Sequence, residues 1–175
     1  MKKLPYHKRI VIARKVADAL LLQRDIFSPR IEISWASSSS QAPVGSSTLN
    51  VVLYNGEEEN HLGFIELIGF NDSSPMIRNC GPSFQELQEN QGLVPSNNIP
   101  IWSVYMAYLK EEWRGKKLGK LLYQKAIETL RSQGSFFMVP WSCLAIGGTT
   151  GDAQRIWKSL KSKYPHSHNN VLFIK

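Results

Sequence analysis

The stretch from Trp102 to Arg131, WSVYMAYLKEEWRGKKLGKLLYQKAIETLR, constrains the fold more than any other part of the chain. Trp102–Leu109 carries no charge and is rich in aromatic, β-branched and apolar residues, the composition of a strand buried on both faces. From Leu118 the spacing turns helical: Leu118, Leu121, Leu122, Ala126 and Leu130 share one face, and Lys120, Gln124 and Glu128 lie away from it. Between the two sits Arg114-Gly115-Lys116-Lys117-Leu118-Gly119. A strand that runs into a helix presents several backbone N–H groups without intrahelical partners, and the macrodipole adds partial positive charge there. Three basic side chains and two glycines at that point suit a pyrophosphate; the plainer alternative is a solvated basic turn before a surface helix.

A chain of 175 residues, 42% apolar and 20% charged, is expected to form one globular domain over 1–175. Its 21 basic and 14 acidic side chains leave a formal charge of +7, which favours anionic partners such as a nucleotide, a nucleic acid or an acidic protein surface. The cysteines, Cys80 and Cys143, form no metal-ligand cluster with other residues, so no metal site is expected. Ala19–Leu22, the longest apolar run near the N-terminus, is far shorter than a signal h-region or a membrane span. The expectation is a soluble cytoplasmic protein with no membrane contact.

The rest of the chain gives a coarse order of elements. Tyr6 to Arg24 reads as a basic amphipathic helix and Ile31–Ala36 as a strand, followed by a serine-rich loop over Ser37–Ser47. Thr48–Tyr54 and Leu62–Phe70 read as an antiparallel hairpin around Asn55-Gly56. Asn71–Pro100, rich in proline and glycine, offers one short helix at Ser83–Asn90. The long helix is expected to stop near Gln133-Gly134. Ser135–Ile146 is apolar and β-rich, with breaks at Pro140 or just beyond, at Gly147-Gly148. Asp152–Lys163 reads as a helix with Asp152 as N-cap and Ala153, Ile156, Trp157 and Leu160 on one face, and Val171–Ile174 as a last strand.

The Arg114–Gly119 turn, set between strand and helix, resembles the acyl-CoA-binding loop of the GCN5-related N-acetyltransferases (GNAT), Arg/Gln-x-x-Gly-x-Gly/Ala. Arg114 and Gly119 match its first and last positions, and Lys117 stands where the middle glycine is usual. Asp152–Lys163 is similar to the family's Asn-x-Ala-Ala-x-x-Leu-Tyr helix, with Trp157 in the place of the tyrosine. The resemblance implies an α/β (α+β) fold: a mixed, mostly antiparallel central sheet flanked by helices and splayed at the acyl-CoA slot. It also implies acetyl-CoA, or another acyl-CoA, as cofactor. The N–H groups of the turn from about Lys116 to Lys120, with Gly115, would hold the pyrophosphate. Arg114 and Lys116 would add charge, main-chain groups near Tyr108 and Leu109 would pair with the pantetheine arm, and Trp157 would lie beside it.

Acyl transfer to an amine also needs a base for the ammonium and a donor for the departing thiolate. Glu66 interrupts the apolar run Phe64–Ile68 and shares a face with Phe64 and Ile68 by alternation, unless a bulge intervenes. A carboxylate in such surroundings is a candidate base; an outward-facing edge residue is its other reading. Tyr105, Tyr108 and Tyr164 are the candidate acids, because the Trp157 indole does not titrate usefully. The implied activity is N-acyltransfer to an unidentified amine acceptor, and the basic surface favours one associated with nucleic acid or an acidic protein over a polyamine. The alternatives are a GNAT-like module that binds CoA or an anionic partner without turnover, and a nucleic-acid-binding protein without cofactor.

Overall fold

Period-two patterning in the first half of the chain becomes an antiparallel meander. The computed structural model describes residues 29–36, 47–57, 59–70, 81–92, 99–141, 150–168 and 171–175. The expected helix over Tyr6–Arg24, residues 37–46 of the serine-rich loop, Cys80, Cys143 and Gly147-Gly148 lie outside them. Strands β1 (Pro29–Ala36), β2 (Ser47–Asn55) and β3 (Gly63–Phe70) pair in sequence order, with Ile31 opposite Leu53 and Val51 opposite Ile65. The β2–β3 turn opens at Asn55-Gly56, where a φ of 53° takes Gly56 into left-handed space. Strand β4 (Ile101–Leu109) adds antiparallel to β3. With β5 (Phe136–Pro140), β6 (Ser167–His168) and β7 (Val171–Ile174) the described residues form one seven-stranded sheet, ordered β1-β2-β3-β4-β5-β7-β6.

Among the described residues three α-helices cover the sheet: α1 (Gly81–Gln91), α2 (Leu118–Arg131) and α3 (Gly151–Lys163). Alternation sorts the strand side chains into two cores. On the first face Leu49, Val51, Ile65, Leu67, Trp102 and Val104 pack with Leu122, Ala126 and Leu130 of α2 and with Trp157 and Leu160 of α3. On the second, Ile68, Phe70, Ile101, Phe137 and Val139 pack with Phe84 and Leu87 of α1. Each such side chain, once buried, contributes roughly 1.5–3 kcal/mol.

Strand β4 departs from the expectation of burial along its whole length. Ile101–Val104 is buried on both faces, whereas Met106 and Tyr108 are 45% and 42% exposed. The reason is its neighbour. The parallel strand β5 pairs only from Ile101↔Phe137 to Val104↔Pro140, and proline has no N–H to carry the ladder further. Among the described residues no β4–β5 pair follows Val104↔Pro140. A bulge falls at the same level: Glu66 faces Met106 and Leu67 faces Val104, which leaves Tyr105 as the extra residue of β4. At the open end β3 and β4 stay close because Gly63 has no side chain; a Cβ there would lie 2.5 Å from the Tyr108 carbonyl oxygen.

Two helix details also differ from expectation. Helix α2 buries Tyr123 and Ile127 besides the face read from spacing, because α3 lies along its flank. Helix α3 is capped by Thr150, whose Oγ1 accepts from the Ala153 N–H at 3.4 Å, and not by Asp152. Asp152 sits within the first turn, where its charge suits the dipole, and pairs with Arg155 at 3.2 Å.

Candidate functional site

The open end of β4, the Arg114–Lys120 turn and the first turn of α3 enclose a cleft of about 350 Å³. Leu118, Leu122, Tyr123, Ala153 and Ile156 give it apolar walls, and Arg114, Lys117, Lys120 and Arg155 outnumber Asp152 among the charged groups that line it. The turn is built in steps. A 3₁₀ segment, Glu111–Trp113, closes with the Arg114 N–H donating to the Glu111 carbonyl at 3.0 Å. The Arg114 Nε donates back to the Leu109 carbonyl at 3.1 Å and ties the turn to β4. Gly115 follows with a φ of 76°. The first bond of α2 runs from the Leu121 N–H to the Lys117 carbonyl at 3.2 Å, and no side chain caps the helix. The N–H groups of Leu118, Gly119 and Lys120 are therefore left at a positive helix end beside the cleft. Gly119 keeps that end narrow: a Cβ there would stand 3.2 Å from Ile156 Cδ1 of α3.

Lys117 takes the conformation a glycine would have, with φ 65° and ψ 7°. Left-handed backbone costs a side-chain-bearing residue roughly 1–2 kcal/mol, and glycine's extra freedom in the unfolded chain costs roughly 0.5–1 kcal/mol. Lys117→Gly should therefore stabilise the fold by up to about 1 kcal/mol, while Lys117→Val should destabilise it. Urea denaturation of the three proteins checks the order.

The structure separates the residues singled out from the sequence into two groups. Tyr108, Leu109, Arg114, Gly115, Lys117, Leu118, Gly119 and Lys120 line the cleft. Lys116 stands outside that lining, with its ammonium 4.3 Å from the Trp113 ring centre. Trp157 is buried behind the wall and touches the site through Tyr123. Tyr164, at the C-terminal end of α3, packs against the first core away from the cleft. Glu66 lies on the second face of the sheet with Ile68, as alternation requires, since the bulge falls in β4 and not in β3. Partial burial holds its carboxyl above the ordinary carboxylate value. Tyr105 packs edge-on against Trp141 on that face, ring centres 4.7 Å apart.

Sequence reasoning missed Tyr123. It is among the residues that line the cleft and is 2% exposed; burial pushes the phenol up to about 12, and a hydrogen bond from the Trp157 indole N–H draws it part of the way back. The signal was present in the spacing, because Tyr123 stands one helical turn after Gly119 and so on the cleft side of α2. No group of three or more metal-ligating side chains occurs among the described residues.

No protein-family model matches the chain, and no curated protein matches it. Among solved structures it is similar to a point mutant of the AtaT toxin bound to the C-terminus of the antitoxin AtaR and acetyl-CoA, with 14% identity and a TM-score of 0.45 over 84% of this chain and 92% of that one. The chain's own topology is a mostly antiparallel sheet with one parallel pair, β4 and β5, beside a glycine-bearing turn into a long helix. The fold of this chain is a mixed, mostly antiparallel sheet flanked by helices, with the basic cleft beside the end of the β4–β5 pairing.

Proposed function

We propose that this protein is an acyl-CoA-dependent N-acyltransferase, most simply an acetyltransferase, that passes the acyl group directly to an amine. The observation that supports this reading best is the uncapped, glycine-bearing start of α2, set in a basic cleft beside the C-terminal end of β4. Room and charge both suit a phosphorylated, elongated group. Gly119 leaves space for a close backbone approach, and the apolar walls match a pantetheine arm. When bound, acyl-CoA supplies the acyl group as a thioester.

In this reading the N–H groups of Lys117 to Lys120 hold the pyrophosphate, Gly115 shapes the turn, and Arg114, Lys116, Lys117 and Lys120 add charge. Main-chain groups of Tyr108 and Leu109 pair with the pantetheine arm along the edge that β5 leaves free. Glu66 takes one proton from the bound ammonium and frees the lone pair that attacks the thioester carbonyl. As the tetrahedral intermediate collapses the C–S bond breaks, and the second proton leaves the nitrogen for the departing thiolate by way of solvent. The Tyr123 phenol oxygen accepts from the indole N–H of Trp157, and in this reading its O–H donates to the departing sulfur. A phenol at about 12 keeps its proton beside a thiolate, so Tyr123 stabilises the leaving group by a hydrogen bond. Tyr105 and Tyr108, beside Glu66, belong to acceptor binding, and Tyr164 has no part in the step.

The test is release of CoA thiol from acetyl-CoA with a panel of amines, for the native protein and for Tyr123→Phe. The reading expects amine-dependent release, with kcat about tenfold lower in the variant and CoA affinity unchanged, the worth of about one hydrogen bond. Thiol release independent of any amine, or a variant with unchanged kcat, would contradict it.

A further inference from the structure

Among the described residues, helix packing covers one half of the second face of the sheet, and the other half carries the exposed side chains Met106 and Tyr108. Helix α1 covers Ile68, Phe70 and Phe137, but the half that includes the ends of β3 and β4 carries exposed side chains. Three rings gather there. His61 lies edge-on to Phe64 and to Tyr108, with ring centres 5.6 and 6.4 Å apart, and Phe64 lies tilted to Tyr108 at 5.8 Å. Phe64 and Tyr108 are directly paired across the strands, so their contact belongs to one face. Two residues further along β3, on the same face, comes Glu66, opposite Met106.

Apolar side chains this exposed are costly to leave in water unless they meet something, and the chemistry on offer is specific. The rings present flat, electron-rich surface. Glu66 offers an anionic oxygen, and the protein as a whole carries +7, which disfavours polycations. Two residues along a strand span roughly 7 Å, so the carboxylate and the Phe64 ring are separated by about the length of a short alkyl chain. A monocation with one aromatic group fills both places at once: its ring stacks on Phe64 and Tyr108, and its ammonium meets Glu66.

We propose that His61, Phe64, Tyr108 and Glu66 form the acceptor subsite, and that the acceptor is an arylalkylamine, a primary amine two or three carbons from an aromatic ring. This rests on the acyltransferase reading, because it makes Glu66 both the partner of the bound ammonium and the group that receives its proton. Glu66 pairs with Met106 beside the bulge at Tyr105, which follows the last described β4–β5 pair at Val104, and the proposal places the acceptor nitrogen at that level.

The test is ligand-observed NMR titration of the native protein with 2-phenylethylamine, 2-phenylethanol and spermidine, beside an independent titration with CoA. Phenylethylamine should bind more tightly than either of the others. Phe64→Ala and Tyr108→Ala should each weaken it about three- to tenfold, with folding checked by circular dichroism. Glu66→Gln should weaken phenylethylamine and leave phenylethanol unchanged, which a merely structural role for the carboxylate would not do. Spermidine binding as tightly as phenylethylamine, or ring variants with unaltered binding, would overturn the acceptor assignment even if CoA binds. Ring-dependent amine binding with no CoA binding would instead sink the acyltransferase reading and the proton-accepting role of Glu66 with it.

Discussion

Gly119→Asp is expected to lower acyl-CoA affinity by about 100-fold or more while the fold survives. A carboxylate in the first turn of α2 suits the helix dipole, and its Cβ meets only the tip of Ile156, a flexible side chain at 3.2 Å. The same carboxylate places bulk and negative charge where the helix start would receive a pyrophosphate, and like-charge contact in a binding site costs several kcal/mol. Gly119→Ala separates the two effects. It adds the crowding without the charge, so it should lose far less affinity than the aspartate variant. Competitive displacement of a fluorescent CoA derivative reads all three proteins, and equal losses in both variants would mean that charge is not what the turn recognises.

Glu66→Gln should have opposite effects on activity and on stability. Loss of a general base lowers kcat by about 10²–10⁴. Stability moves the other way. Because burial holds the folded-state carboxyl above its unfolded value, the ionised form is disfavoured in the folded protein. That penalty is absent at low pH, where both states are protonated. It grows as pH rises through the unfolded carboxylate range near about 4.3 and is complete above the folded value. The glutamine variant should therefore match the native protein near about pH 3 and be the more stable one at pH 7. Thermal melts across that range test the sign. If the proposed function holds, kcat/KM of the native protein should rise with pH through a midpoint above the ordinary carboxylate value, and Glu66→Gln should flatten that limb.

The parts of this architecture that were legible in the sequence are those where local pattern and tertiary burial agree. Leu62–Phe70 alternates because one face of β3 packs under α2 and the other meets α1 over Ile68 and Phe70, so Glu66 could be assigned a face from β3 alone. The turn at Arg114–Gly119 was legible because glycine and basic residues fall between a strand pattern and a helix pattern. Pro140, a strand breaker on paper, is where β5 stops pairing with β4.

What the sequence hid depends on contacts between distant elements. Lys117 adopts left-handed backbone against its own preference because the turn must close between β4 and α2. Tyr123 stands at the border between the apolar and polar faces of α2; only the approach of α3, through Trp157, makes it a buried wall of the cleft. Thr150 outcompeted Asp152 as N-cap because Gly151, a poor helix former, nonetheless opens the helix. The exposed end of β4 lies past its last described pair with β5, Val104↔Pro140, which no pattern within Trp102–Leu109 records.

Calorimetric titration of the native protein with acetyl-CoA bears most directly on the cleft. The expected result is saturable, one-to-one binding in the micromolar range that weakens as salt is raised, since basic groups and a helix end meet a polyphosphate. Absence of heat, together with an unchanged melting temperature at millimolar acetyl-CoA, would contradict the proposed function.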